Sequence, residues 1–181
     1  DETRYGYDAE RRLTQVERPD GTVIGVGYDS GGQVASVTLG RGAITSAYNP
    51  ATARLTAVNA PEGIHLAYTY DGPLLTGKTW SGPVAGSLGY VYDNRFRLTS
   101  TSVNGGATVT FQYADDNLLV QAGALVVNRN AQNGLVTGST LNGVTDVRGY
   151  NEFAEPTAYS VTHNAALLYH FQLERDKLGR I

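Results

Sequence analysis

The side chains that could carry catalysis or hold a metal are few and scattered. The chain has no cysteine, which excludes disulfides, thiolate metal sites and a cysteine nucleophile. His65, His163 and His170 lack metal-ligand spacing, and Asp115-Asp116, the one adjacent carboxylate pair among the anchors described below, lacks the alternating oxygens of a calcium loop. No Gly-x-Ser-x-Gly elbow and no phosphate-cradling loop occurs. The sequence therefore predicts no enzyme, no metal site and no cofactor.

One polar pattern does recur, and its spacing is regular. A tyrosine followed by an acid or amide stands at six places: Tyr7-Asp8, Tyr28-Asp29, Tyr48-Asn49, Tyr70-Asp71, Tyr92-Asp93 and Tyr150-Asn151. Tyr113 fits with a slip of one residue to Asp115, and Arg129-Asn130 and Arg175-Asp176 are degenerate copies. The nine anchors lie 16 to 25 residues apart. Because a catalytic acid is needed once and a turn-former in every copy, we interpret the anchors as structural.

The elements between the anchors read as β-hairpins. In Thr22–Tyr28, every second residue falls on the same face of a strand, so Ile24, Val26 and Tyr28 share one face, and the other face carries Val23 and two glycines. The acid after each tyrosine can accept main-chain N–H groups in a tight turn, with Gly31, Gly32 and Gly179 supplying positive φ. An apolar residue such as Leu13 then begins a second strand, which ends at turns such as Pro19–Gly21. Tyrosines of successive hairpins are expected to form a ladder of aromatic pairs.

The composition supports this reading and excludes two classes of partner. Charged residues make up 17% and the net charge is −3, which argues against a protein that binds nucleic acid by neutralising phosphates. The longest apolar run, Ala122–Val127, is far short of the roughly 20 residues that span a bilayer as a helix. The fold class predicted is all-β, with antiparallel hairpins repeated in a curled or spiral sheet. Residues 1–181 are expected to form a single array of about nine repeats, cut from a larger protein.

At these anchors the sequence resembles the Rhs/YD-repeat family. The resemblance rests on Tyr7–Leu13 followed by Pro19–Gly21, on Tyr92–Leu98, and on Asp176 with Gly179–Ile181. It implies a hollow β-shell around a toxic C-terminal domain in bacterial proteins, or an extracellular adhesion barrel in teneurins. Some bacterial wall-associated members are expected to contact cell-wall glycans. The partners implied are the flanking repeats and the cargo domain of the parent protein.

Two functions remain open on the sequence alone. The first is a non-catalytic wall segment of a YD-repeat shell that encapsulates or delivers a toxic domain. The alternative is a cell-surface adhesion or carbohydrate-binding module, for which Trp80, read as lying in a Gly/Pro-rich loop, is the contact residue to test. Either parent would be secreted or at the cell surface, and the scarcity of lysine and absence of cysteine favour a bacterial source. Strand edges of the isolated segment are expected to self-associate.

Overall fold

The computed structural model describes residues 2–176 and 178–181, and its regular structure is almost entirely β. Contacts divide the chain into two compact units. The first runs through Val91 and includes Ser102–Ala107, and the second consists of Tyr92–Thr101 and Thr108–Ile181. Antiparallel hairpins build both units, so the predicted all-β fold class is confirmed. No helix among the described residues is long and apolar enough to cross a membrane.

In the first unit each strand pairs with the next along the chain, from β1 to β9. The strands are β1 (Arg4–Tyr7), β2 (Leu13–Glu17), β3 (Val23–Tyr28), β4 (Val34–Leu39), β5 (Gly42–Tyr48), β6 (Leu55–Ala60), β7 (Ile64–Asp71), β8 (Leu74–Ser81) and β9 (Gly86–Tyr92). A single 3₁₀ turn, Pro61–Gly63, joins β6 to β7. Ser102–Ala107 attaches here because the main-chain N–H of Asn104 donates to the carbonyl of Ser87 at 2.9 Å.

The second unit repeats the same meander. Its strands are β10 (Leu98–Val103, which ends in the first unit), β11 (Thr108–Tyr113), β12 (Leu119–Ala122), β13 (Leu125–Arg129), β14 (Val136–Leu141), β15 (Val144–Tyr150), β16 (Pro156–His163) and β17 (Ala166–Gln172). From β11 to β17 each strand pairs antiparallel with its successor. At Asn142-Gly143 both residues have positive φ, 49° and 80°. This is the geometry of the tight hairpin turn that the Asn-Gly pair predicts.

The turn after most anchors has a left-handed residue three or four positions beyond the acid or amide. Arg11 (φ 63°), Gly32 (79°) and Phe96 (62°) occupy that position in three copies. Gly32 and Gly179 therefore have the positive φ predicted for them, but the prediction for Gly31 is wrong. The main-chain N–H of Gly31 instead donates to the Asp29 side chain at 2.9 Å, which an ordinary right-handed turn conformation allows.

A β-bulge lies opposite the anchor in most hairpins, in the strand that follows the anchor. The register shifts between Gly27 and Tyr28, where Tyr28 pairs with Val34 and Gly27 with Ser36. The same shift occurs before the other described anchors that pair within their hairpins, at Tyr7, Tyr48, Tyr70, Tyr113, Arg129 and Tyr150. The extra residue, Ala35 in this hairpin, belongs to the second strand. A bulge bends the strand that carries it and increases its twist.

The two faces of the first unit differ in polarity. One cross-strand row runs from Ser36 through Thr45, Asn59 and His65 to Ser81. The adjacent row on the other face contains Val58, Leu66 and Trp80. None of the described apolar residues is fully buried. The apolar side chains are therefore only partly shielded from water.

Candidate functional site: the contacts that join successive repeats

The acid of the anchor closes its own turn and holds an arginine. One carboxylate oxygen of Asp8 accepts the main-chain N–H of Arg12 at 2.8 Å, and the other accepts the Arg12 Nε at 2.8 Å. Asp93 with Arg97 and Asp176 with Arg180 repeat both bonds at 2.7–3.0 Å. Hydrogen bonds from Arg12, first from its main-chain N–H, lower the pKa of Asp8 below its usual value. The carboxylate thus fixes the turn and the direction of the arginine.

Other copies keep the turn with different chemistry. Asn49 and Asn151 accept main-chain N–H groups as the acids do. Asp71 does not, because Gly72-Pro73 forms a two-residue turn and Pro73 has no N–H to donate. The predicted slip after Tyr113 is also wrong. Ala114 occupies the usual position of the acid with the same main-chain turn, and Asp116 accepts the N–H of Leu118 at 3.1 Å.

In five copies the tyrosine hydroxyl bridges to the preceding hairpin. The Tyr28 hydroxyl donates to the carbonyl of Leu13 at 2.9 Å, and Leu13 is the first residue of β2. The β2–β3 register begins only at Gln15–Gly25, so this carbonyl lies where the two strands have diverged. The same bond joins Tyr48 to Val34, Tyr70 to Leu55, Tyr113 to Leu98 and Tyr150 to Val136 at 2.9–3.0 Å. The tyrosine therefore extends the ladder where main-chain pairing has ended.

The arginine before the second strand stacks on the next tyrosine. The guanidinium carbon of Arg12 lies 4.5 Å from the ring centroid of Tyr28. The Arg54–Tyr70 and Arg97–Tyr113 distances are 5.7 and 4.7 Å. We call the turn residue, the side chain before the second strand and the next anchor side chain a staple. It combines an ion pair, a cation–π contact and a hydrogen bond to a carbonyl.

The two degenerate copies keep the essential contact of the staple. Arg129 stands in place of tyrosine, and its Nε donates to the carbonyl of Leu119, the first residue of β12, at 2.9 Å. Arg175 likewise donates to the carbonyl of Pro156, the first residue of β16, at 2.6 Å. Sequence reasoning missed this equivalence. The shared property is a long side chain ending in a hydrogen-bond donor, which tyrosine and arginine both have.

The staple that ends at Arg175 has its charges reversed. Glu155 occupies the place of Arg12 and Arg97, and its Oε2 accepts from the Asn151 amide at 2.7 Å. The same carboxylate lies 3.6 Å from the Arg175 Nε. An arginine at 155 would set two cations against each other, and an acid at 151 would set two carboxylates against each other. Asn151, Glu155 and Arg175, which replace the acid, the arginine and the tyrosine of other copies, therefore avoid placing like charges together.

Trp80 does not lie where the sequence placed it. The prediction of a loop position is wrong, because Trp80 is within β8 and its cross-strand partner is Gly86 in β9. A Cβ added at Gly86 would meet the indole ring at 2.4 Å, so the ring lies directly over that main chain. The glycine removes a side chain at the one point where the indole needs the space. Trp80 is half-buried and shares its row with Leu66.

The remaining chemically able groups are not gathered into a site. The expected ladder of stacked anchor tyrosines is wrong: ring contacts in the described part of the chain occur among Tyr159, Tyr169 and Phe171. Successive anchors stand two strands apart, about 9.6 Å at the usual strand spacing, which is too far for ring contact. His65 contacts Asn59 at 2.6 Å, and His163 contacts Asn164 at 3.3 Å. The described residues contain no cluster of three metal-ligating side chains.

Tyr7 is 61% exposed at the end of β1. Tyr92 ends β9 and is half-buried, followed by Asp93, which holds Arg97.

The chain that carries these repeated contacts matches a known family of repeat proteins. A family model for the teneurin YD-shell matches residues 2–181. The chain belongs to the teneurin YD-shell family. The predicted membership of the YD-repeat proteins is thereby confirmed. In this YD-shell segment the staples add to the main-chain pairing that joins successive hairpins. A search of curated proteins gives no match.

Solved structures with the same fold include a Tc holotoxin pore and complexes of TcdB2 with TccC3. The Tc holotoxin pore of Photorhabdus luminescens contains a chain that aligns with TM-score 0.61 and 18% identity, covering 94% of this chain and 9% of that one. The TcdB2–TccC3 complex without its hypervariable C-terminal region aligns with TM-score 0.62 and 18% identity, covering 97% and 10%. This YD-shell segment thus spans about a tenth of the length of those chains.

Proposed function

We propose that this YD-shell segment is a non-catalytic wall section of a larger secreted or cell-surface protein, and that the parent encloses or delivers a toxic C-terminal domain. The observation that carries the proposal is the bridging bond to the first residue of the preceding second strand, which recurs at Tyr28, Tyr48, Tyr70, Tyr113, Arg129, Tyr150 and Arg175. Such a contact serves to propagate a sheet hairpin by hairpin. The flanking repeats and the enclosed domain are the partners in this proposal.

The wall role has a direct test in the full-length parent. Limited proteolysis should leave an enclosed C-terminal domain uncut at a protease concentration that cleaves the same domain expressed alone. Paired Tyr28→Ala and Tyr70→Ala changes should open the wall, because each removes a ring and a bridging bond. The exposed Tyr7→Ala serves as the matched control. Equal cleavage of the domain inside and outside the parent would overturn the proposal.

We propose further that the isolated segment self-associates through β17. Leu167, Leu168 and Tyr169 are 65%, 62% and 56% exposed, so consecutive side chains on both faces of this strand reach solvent. Apolar strands of this kind pair readily with a second chain. Light scattering over a concentration series should show oligomers that Leu168→Lys reduces to monomers. If the unmodified segment is monomeric at every concentration, the proposed self-association through β17 is wrong.

A carbohydrate-binding module is the second candidate function. It is favoured by the one cluster of aromatic rings in the described residues, on β16 and β17 beside an arginine. Trp80, the residue first considered for this role, packs on Gly86 within the sheet. A glycan site is therefore proposed at the cluster on β16 and β17.

A further inference from the structure

An open cavity of about 350 Å³ lies on the second unit where β15, β16 and β17 run side by side. Its lining is Arg148, Tyr150, Pro156, Ala158, Tyr159 and Phe171. The register sets Arg148 opposite Tyr159 and Tyr159 opposite Phe171. One row across three strands thus presents a guanidinium followed by two aromatic rings.

Arg148 is held in place by the carboxylate of Asp146, which is almost fully buried. The Nε of Arg148 donates to Oδ2 of Asp146 at 2.9 Å, and the other oxygen of Asp146 accepts the Ser139 hydroxyl. The side chain of Asp146 is 9% exposed and that of Arg148 is 41% exposed. The terminal amino groups of Arg148 have no hydrogen bond to the described part of the chain. The cavity therefore meets the cationic member of the pair.

The aromatic wall of the cavity is not flat. The rings of Tyr159 and Phe171 are 5.8 Å apart and tilted by 36°, and Tyr169 meets Phe171 edge-on at 6.0 Å. A planar ligand could lie against only one of these rings. A puckered ring with axial C–H groups can contact two tilted rings at once. The two free amino groups of a guanidinium match the two oxygens of a carboxylate.

We propose that this cavity binds a hexuronic acid unit of a glycan. Its carboxylate accepts from the terminal amino groups of Arg148, and its C–H face lies on Tyr159 and Phe171. Asp146 bonds to Arg148, and Ser139 bonds to Asp146. Both residues act behind the arginine as positioning residues and do not touch the sugar. The assignment deepens the second candidate function and does not depend on the wall role, which the protection of the enclosed domain tests separately.

Titration of the whole chain with methyl glucuronide, followed by NMR of the aromatic and arginine side-chain signals, tests the assignment. Arg148→Gln should weaken binding about tenfold, as expected for loss of a charge-assisted hydrogen-bonded pair. Arg97→Gln is the matched control, since Arg97 also pairs with an aspartate and stacks on a tyrosine but lies outside the cavity. Phe171→Leu leaves the ion pair intact and should also weaken binding.

Two further ligands separate the parts of the proposal. Methyl glucoside lacks the carboxylate and should bind about tenfold more weakly than methyl glucuronide. Benzoate has the carboxylate on a flat ring and should bind more weakly than methyl glucuronide. Tighter binding of benzoate would overturn the sugar assignment. Equal affinities of the Arg148→Gln and Arg97→Gln variants for methyl glucuronide, or no saturable binding to the unmodified chain, would overturn the site.

Discussion

Removing a single hydroxyl from Tyr28 isolates the bridging bond of one staple. Tyr28→Phe keeps the ring under Arg12, whose guanidinium carbon is 4.5 Å from the ring centroid, and deletes only the donor to the Leu13 carbonyl. That carbonyl lies beyond the β2–β3 register, so no strand partner replaces the hydroxyl. A hydrogen bond between neutral groups contributes about 1 kcal/mol net. The variant should therefore lose about 1 kcal/mol of unfolding free energy.

The measurement needs a tyrosine that makes no such bond. Tyr7→Phe removes the same atom from a side chain that is 61% exposed, and surface changes of this kind stay within about 0.5 kcal/mol. For a chain of this length, 1 kcal/mol corresponds to a fall in Tm of about 2–4 °C. Because stability in repeat proteins is passed between neighbours, amide exchange should also quicken in β2 and β3 first.

The outcome that would refute the staple argument is specific. If Tyr28→Phe and Tyr7→Phe melt at the same temperature, the hydroxyl does not hold the hairpins together. Tyr28→Ala extends the series, because it also removes the half-buried ring and its contact with Arg12. It should cost about 2 kcal/mol more than Tyr28→Phe from lost apolar burial. A contact residue for glycans would instead lose binding with no change in Tm.

The other predictions concern backbone strain, charge and pH. Phe96 is 70% exposed with φ 62°, so Phe96→Gly should relieve backbone strain and stabilise the protein by about 1 kcal/mol in urea unfolding. Phe153→Gly, at a 75% exposed turn residue without positive φ, should destabilise it. Equal effects of the two changes would contradict the argument from backbone strain. Glu155→Arg alone should lower the Tm, and Arg175→Tyr added to it should recover most of the loss, because the pair recreates the arrangement of Asn49, Arg54 and Tyr70. No recovery would refute the charge argument. Hydrogen bonds from Arg97, first from its main-chain N–H, lower the pKa of Asp93, so its contribution is present above the unfolded-state pKa and lost as the pH falls below about 4 through the folded value. Asp93→Asn, which keeps the turn acceptor, should flatten the fall in Tm over that acid range, and an unchanged slope would contradict the assignment.

The sequence determined the strands because its signals are local. Alternation in segments such as Thr22–Tyr28 predicts which residues share a face, and the Asn142-Gly143 pair predicts a tight hairpin turn. Both agree with the strands and turns observed. Turn errors arose where one residue changed the local geometry, as when Pro73 removed the N–H that Asp71 would accept. The domain organisation of residues 1–181 stays a prediction.

Only the tertiary structure decided what the anchors do. The bond from Tyr28 to Leu13 spans 15 residues and lies where the β2–β3 register has ended. No local pattern shows which carbonyl lies beyond the end of a ladder. For the same reason the sequence shows Arg129 and Arg175 only as degenerate copies of the tyrosine anchor, although each donates to the carbonyl of the first residue of the preceding second strand. Residue identity sets the donor, but the register of neighbouring strands sets its acceptor, and that register exists only once the hairpins have paired.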